Sequence, residues 1–190
     1  MEGHVAPGQP VEHRVTLLDF KPVGNAGFKA MAFGEQVEFA QSVKEVGNAL
    51  FKAGGAHRLR RAICRYQAVD SLLAVPDHRA TAATCKAALD TRASALANVA
   101  ACRLSLREWA ACSAAATQVL KLEPRNSKAL YRRAVANLEL GRQHEAESDL
   151  GTLSALAPDD KAVQALKRRL GKEMRAADAE KRSVFADMFR

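Results

Sequence analysis

Asn98-Val99-Ala100-Ala101-Cys102-Arg103-Leu104-Ser105-Leu106 is answered thirty-four residues later by Arg132-Arg133-Ala134-Val135-Ala136-Asn137-Leu138-Glu139-Leu140. The correspondence runs on, Leu122 matching Leu156 and Pro124 matching Pro158, each at an offset of 34. A fixed period of this length marks a chain made of stacked supersecondary units, each burying its apolar face on the next. Within a unit the pattern reads helix over 126–140, a turn at Gly141-Arg142-Gln143, helix over 144–156, then proline. Small residues stand where two antiparallel helices must come close.

Composition agrees with that reading. Apolar residues are 48% of the 190 and charged residues 26%, which excludes wholesale disorder, and an aromatic content of only 5% beside abundant Ala and Leu favours helix over sheet. Lys plus Arg less Asp plus Glu is 29 − 21 = +8, so acidic peptides, nucleic acids and anionic surfaces are all candidate partners. Cys64, Cys85, Cys102 and Cys112 show neither zinc spacing nor a disulfide framework, and are expected to be reduced core thiols. No apolar run reaches the roughly 20 residues of a membrane helix and no signal-peptide pattern opens the chain, so membrane insertion is not expected and a cytoplasmic location is.

Outward from the repeats, residues 1–27 hold four of the 11 glycines and three of the six prolines, around one β-like run, Val11-Glu12-His13-Arg14-Val15-Thr16-Leu17-Leu18-Asp19-Phe20. One strand cannot stand alone as a domain. Helical spacing begins near residue 36, and a first repeat is expected over 38–74, with a turn at Ala53-Gly54-Gly55-Ala56-His57-Arg58 about three residues longer than the norm for repeats of this period. Val75-Pro76-Asp77-His78 marks a break before a long Ala-rich helix over 80–105. After Pro158, the residues Val163, Leu166, Leu170, Met174 and Ala177 form one apolar stripe at helical spacing, as a terminal capping helix requires.

The period and the placement of Gly47, Tyr66, Ala100, Ala134, Gly141, Ala146, Pro124 and Pro158 resemble the tetratricopeptide repeat family. The resemblance implies an all-α fold: three helix-turn-helix repeats in a right-handed superhelix, closed by a long C-terminal helix. The expected division is 1–35 as head and linker, 36–158 as three repeats and 159–190 as the cap. In such solenoids the first helix of each repeat lines a concave groove. Those helices carry Lys44 with Asn48, then Asn98, then Lys128 with Arg132, and Asn98 and Arg132 differ by 34. The set resembles the two-carboxylate clamp of chaperone-binding tetratricopeptide domains. A chain ending in aspartate presents two carboxylates on one residue; three cations supply charge to bind it, while two amides donate without adding repulsion. The resemblance implies as ligand the Glu-Glu-Val-Asp tail of the ninety- and seventy-kilodalton heat-shock chaperones. Arg133 and Arg103 are expected at the groove rim or in solvent, and Trp109 in helix-packing core.

The head strand resembles the last strand of an FKBP-type prolyl isomerase domain, Phe33-Gly34-Glu35-Gln36-Val37-Glu38-Phe39-Ala40 resembles the linker that follows it in immunophilins, and Glu180-Lys181-Arg182-Ser183-Val184-Phe185-Ala186-Asp187-Met188-Phe189 resembles the tail of their extra helix. The isomerase's catalytic pocket matches no residue here, so no isomerase activity is expected. The chain reads as a fragment or a shortened gene product keeping the adaptor half. Other classes are weaker. The histidines are scattered, no phosphate-binding loop follows a strand, and no metal or cofactor is implied. Basic residues are not interleaved with aromatics as specific nucleic-acid binding would ask, which leaves weak nonspecific binding, or a scaffold for an internal motif, as alternatives. Lys161, Lys167, Arg168, Arg169, Lys172 and Arg175 beside the apolar stripe make a basic amphipathic segment of the type that calmodulin or anionic lipid takes, with a capping helix as the preferred reading.

Overall fold

The computed structural model describes residues 28, 31–74 and 80–188. The chain divides after Met31, and the helices described here all belong to the unit Ala32–Arg190. They are α1 (Phe33–Ala53), α2 (Ala56–Leu72), α3 (Ala82–Ser105), α4 (Trp109–Leu122), α5 (Ser127–Glu139), α6 (Gln143–Leu156) and α7 (Lys161–Met188). Each helix packs on the next, and the odd-numbered helices also pack in succession, α1 on α3, α3 on α5 and α5 on α7. This is the geometry of stacked hairpins, with the odd helices forming one wall.

Local chemistry sets the boundaries. The Thr81 hydroxyl accepts from the Thr84 amide at 3.2 Å to start α3, Asn126 Oδ1 accepts from the Ala129 amide at 2.9 Å to start α5, and Asp160 Oδ1 accepts from the Ala162 amide at 2.7 Å to start α7. Gly141, at φ 72°, turns the chain out of α5 while its amide donates to the Leu138 carbonyl at 2.9 Å. Thirty-four residues earlier Arg107 makes the same turn at φ 57° without glycine's freedom.

Two apolar clusters hold the stack. Tyr66, Val69, Leu73, Val99, Cys102, Cys112 and Val119 anchor the first, between α1 and α4; Leu138, Leu150, Leu153, Val163, Leu166 and Leu170 anchor the second, between α5 and α7. Ala62, Ala100, Ala116, Ala134 and Ala146 are fully buried, which lets neighbouring helices approach closely. The stripe on α7 therefore docks as expected at Val163, Leu166 and Leu170, with Met174 packed at its edge. Trp109 is half-buried against the first cluster.

Several expectations are corrected. Phe33–Ala40, read as linker, is the first two turns of α1, with Phe33, Val37 and Ala40 buried. The turn after α1 is short, because Gly54 and Gly55 at φ 66° and 82° reverse the chain in two residues and α2 resumes at Ala56. The lost register of the first repeat comes instead from α3, which starts at Ala82 although the residue 34 before Ser127 is Ala93. Cys102 and Cys112 are buried, with burial pushing each thiol up to about 11, but Cys85 is half-buried and Cys64 exposed on α2. The 11–20 strand and the 75–78 break lie outside the described residues.

Candidate functional site

The wall of odd helices carries the five clamp candidates. On α1, Lys44 and Asn48 lie one turn apart, both half-buried. Asn48 Oδ1 accepts from Asn98 Nδ2 of α3 at 3.1 Å and from the Tyr66 hydroxyl of α2 at 2.9 Å, while Asn48 Nδ2 donates to Glu45 Oε2 at 3.2 Å. On α5, Arg132 is half-buried, and its Nη1 donates to the Ala97 carbonyl of α3 at 2.9 Å. Burial pulls the pKa of this guanidinium below its ordinary value, the expected effect of desolvating a cation. Lys128, one turn earlier, is exposed, and neither Lys44 nor Lys128 forms an ion pair among the described residues.

Asn98, Lys128 and Arg132 line one cavity of about 220 Å³, together with Asp90, Ser94, Ala97, Glu123 and Asn126. Asn48 joins this group through its bond to Asn98, whereas Lys44 sits outside the lining, on the face of α1 that carries Asn48. The repeat offset locates Ser94, the residue 34 before Lys128 and 50 after Lys44, in the equivalent slot of the middle helix. That offset was enough to find it from sequence. Asp90 and Glu123 had no such signal, and they temper the positive charge of the cavity. Lys128 and Arg132 also line a second cavity of about 240 Å³, completed by Ser127, Tyr131, Leu153, Ala157, Asp160, Ala162 and Val163, and mainly apolar.

Arg133 is not a rim or solvent residue. Arg133 spans from α5 to α6, donating to Asp149 from Nε at 2.9 Å and from Nη2 at 2.6 Å, and Asp149 is only 3% exposed. Beside this pair Ser113 donates to Asn137 Oδ1 at 3.0 Å. Arg103 meets Glu108 at 3.4 Å across the α3–α4 turn. Among the described residues no group of three His, Cys, Asp or Glu is placed to hold a metal ion, and no helix is long and apolar enough to cross a membrane.

Three stacked helical hairpins, the second and third in 34-residue register, with the odd helices forming a polar wall and α7 closing the end, define a tetratricopeptide-repeat domain. Its resemblance is to the repeat domains of FKBP-type immunophilins and of Hsp90 co-chaperones. The human FK506-binding protein-like is 32% identical over 164 residues, 86% of this chain and 42% of that protein. The Arabidopsis thaliana peptidyl-prolyl cis-trans isomerase FKBP42 is 32% identical over 93 residues, 49% of this chain and 26% of that one. The chain thus spans less than half the length of either relative. Among solved structures, the C-terminal TPR-containing domain of a Plasmodium falciparum FK506-binding protein superposes with a TM-score of 0.72 at 23% identity, over 80% of this chain and 99% of that one. The Saccharomyces cerevisiae Hsp90 co-chaperone Cns1 follows at 0.64 and 25%, over 80% and 45%. The second TPR domain of human RPAP3, solved in complex with the HSP70 peptide SGPTIEEVD, gives 0.57 and 26%, over 74% and 98%. No protein-family model matches the chain.

Proposed function

We propose that this domain is a co-chaperone adaptor: its groove binds the acidic Glu-Glu-Val-Asp C-terminus of ninety- and seventy-kilodalton heat-shock chaperones, with Lys44, Asn48, Asn98, Lys128 and Arg132 as the clamp. The supporting observation is convergence. Asn98 of α3 and Lys128 and Arg132 of α5 line one cavity, and Asn48 of α1, 50 residues before Asn98, is hydrogen-bonded to Asn98 at its edge. A terminal aspartate offers two carboxylates to such donors, and charge-assisted hydrogen bonds are the strong kind. The HSP70 peptide bound to the RPAP3 domain is a ligand of that chemistry. On this reading 36–158 is the repeat domain, extended backwards by the first turn of α1, and 159–190 is the cap. The helices act by binding alone: the isomerase activity in the name of the Arabidopsis relative is not expected of α1–α7, and a prolyl-isomerase assay of this chain checks that.

The clamp is tested by titration calorimetry of the chain and of Lys128→Ala and Arg132→Ala with a Met-Glu-Glu-Val-Asp peptide. A micromolar complex, about −8 kcal/mol, is expected for the unsubstituted chain. At least tenfold weakening is expected in each variant. Equal binding by all three proteins would remove Lys128 and Arg132 from the site.

A further inference from the structure

We propose that Tyr66, a residue of the outer helix α2, is a positioning residue of the clamp: its hydroxyl holds the Asn48 side-chain amide with oxygen inward and nitrogen facing the groove. The inference rests on the carboxylate-clamp reading and deepens it. An amide side chain has two faces, one donating and one accepting. Only the donating face suits a carboxylate ligand, and a carbonyl oxygen turned to the groove would repel it.

Three contacts set the orientation. Asn48 Oδ1 has two lone pairs, and two donors fill them, the Tyr66 hydroxyl at 2.9 Å and Asn98 Nδ2 at 3.1 Å. Turned over, the amide would set its own N–H groups against the Asn98 N–H, donor facing donor. Asn48 Nδ2 is then turned to the exposed side, one hydrogen on Glu45 Oε2 at 3.2 Å, so its donating face already serves a carboxylate. Asn98 is itself a clamp residue whose amide the ligand would engage, so Tyr66 is the donor that serves Asn48 from outside the groove.

The fold is built to bring Tyr66 there. It is only 1% exposed, and its ring lies against Gly47, where a Cβ would stand 2.7 Å from Cε1. Any side chain at 47 would push the ring, and its hydroxyl, away from Asn48. Burial raises the phenol to about 12, so the hydroxyl keeps its proton and remains a donor throughout the physiological range.

The test is a double-mutant cycle read as affinity for the Met-Glu-Glu-Val-Asp peptide. Tyr66→Phe keeps the ring and removes one oxygen; it is expected to weaken binding about tenfold, the worth of one oriented hydrogen bond to a charged group. In an Asn48→Ala background the same change is expected to have no further effect, because there is no amide left to hold. Loss of the same size in both backgrounds, or no loss in either, would overturn the positioning role while leaving the clamp standing. Failure of the unsubstituted chain to bind, or full binding by Arg132→Ala, would overturn the clamp and this inference with it. Should Tyr66→Phe not fold, the unsubstituted chain answers by nuclear Overhauser effects. Asn48 side-chain amide protons nearer to Glu45 than to the Tyr66 ring support the orientation; protons nearer to the ring contradict it.

Discussion

The domain contains two polar clusters, and they are settled in opposite ways. Between α4, α5 and α6, Arg133 grips Asp149 with two hydrogen bonds, also donates to Thr117 at 3.2 Å, and lies beside the Ser113–Asn137 pair. Every charge there has its counter-charge inside the protein. On the wall of odd helices, among the described residues, Arg132 finds only a backbone carbonyl for its side chain, and Lys44 and Lys128 find no ion-pair partner. Adjacent arginines on one helix thus differ: Arg133 locks two helices together, and Arg132, which has no counter-charge among the described residues, is the one the proposal assigns to a ligand. Internal saturation separates a cluster that supports the fold from one that can bind.

Substitutions can break this contrast, beginning with the saturated side. Asp149→Ala leaves the Arg133 guanidinium half-buried and unpaired, so chemical denaturation should show a loss of about 3 kcal/mol with peptide affinity unchanged in the folded protein. Arg132→Ala should do the reverse, weakening the acidic peptide by about 2 kcal/mol in calorimetry while the unfolding midpoint barely moves. An equal stability loss in both variants would erase the distinction. A smaller effect sharpens the geometry: Arg107→Gly relieves a left-handed backbone, and thermal unfolding should show about 0.5–1 kcal/mol of stabilisation. Least of all, Glu123→Gln removes a carboxylate from the cavity lining and should tighten the acidic peptide by a few tenths of a kcal/mol, more at low salt than at high.

Much of this was readable from the residues. The offset of 34, the prolines at 124 and 158, Gly141 and the stripe Val163, Leu166, Leu170 are local or periodic signals, and each marks a boundary or a buried face that the structure contains. Periodicity alone also placed Asn98 and Arg132 in equivalent slots. What was not readable depends on partners distant in sequence. Arg133 looks like any surface arginine until α6 brings Asp149, 16 residues on, against it. Tyr66 looks like a core aromatic until its hydroxyl meets Asn48, 18 residues before it. The long α3 was legible: the Ala-rich run expected to be helical over 80–105 is helical over Ala82–Ser105. Gly54-Gly55 misled, since two glycines fit a long loop as readily as the tight reversal they make.

The central claim is that the groove recognises a free terminal carboxylate, and one comparison isolates it: calorimetry of the chain with Met-Glu-Glu-Val-Asp against the same peptide ending in a carboxamide. The two ligands differ only in that charge. Micromolar binding of the acid, falling at least thirtyfold for the amide and weakening with salt, is the predicted result. Equal affinity for both peptides, or none for either, would contradict it.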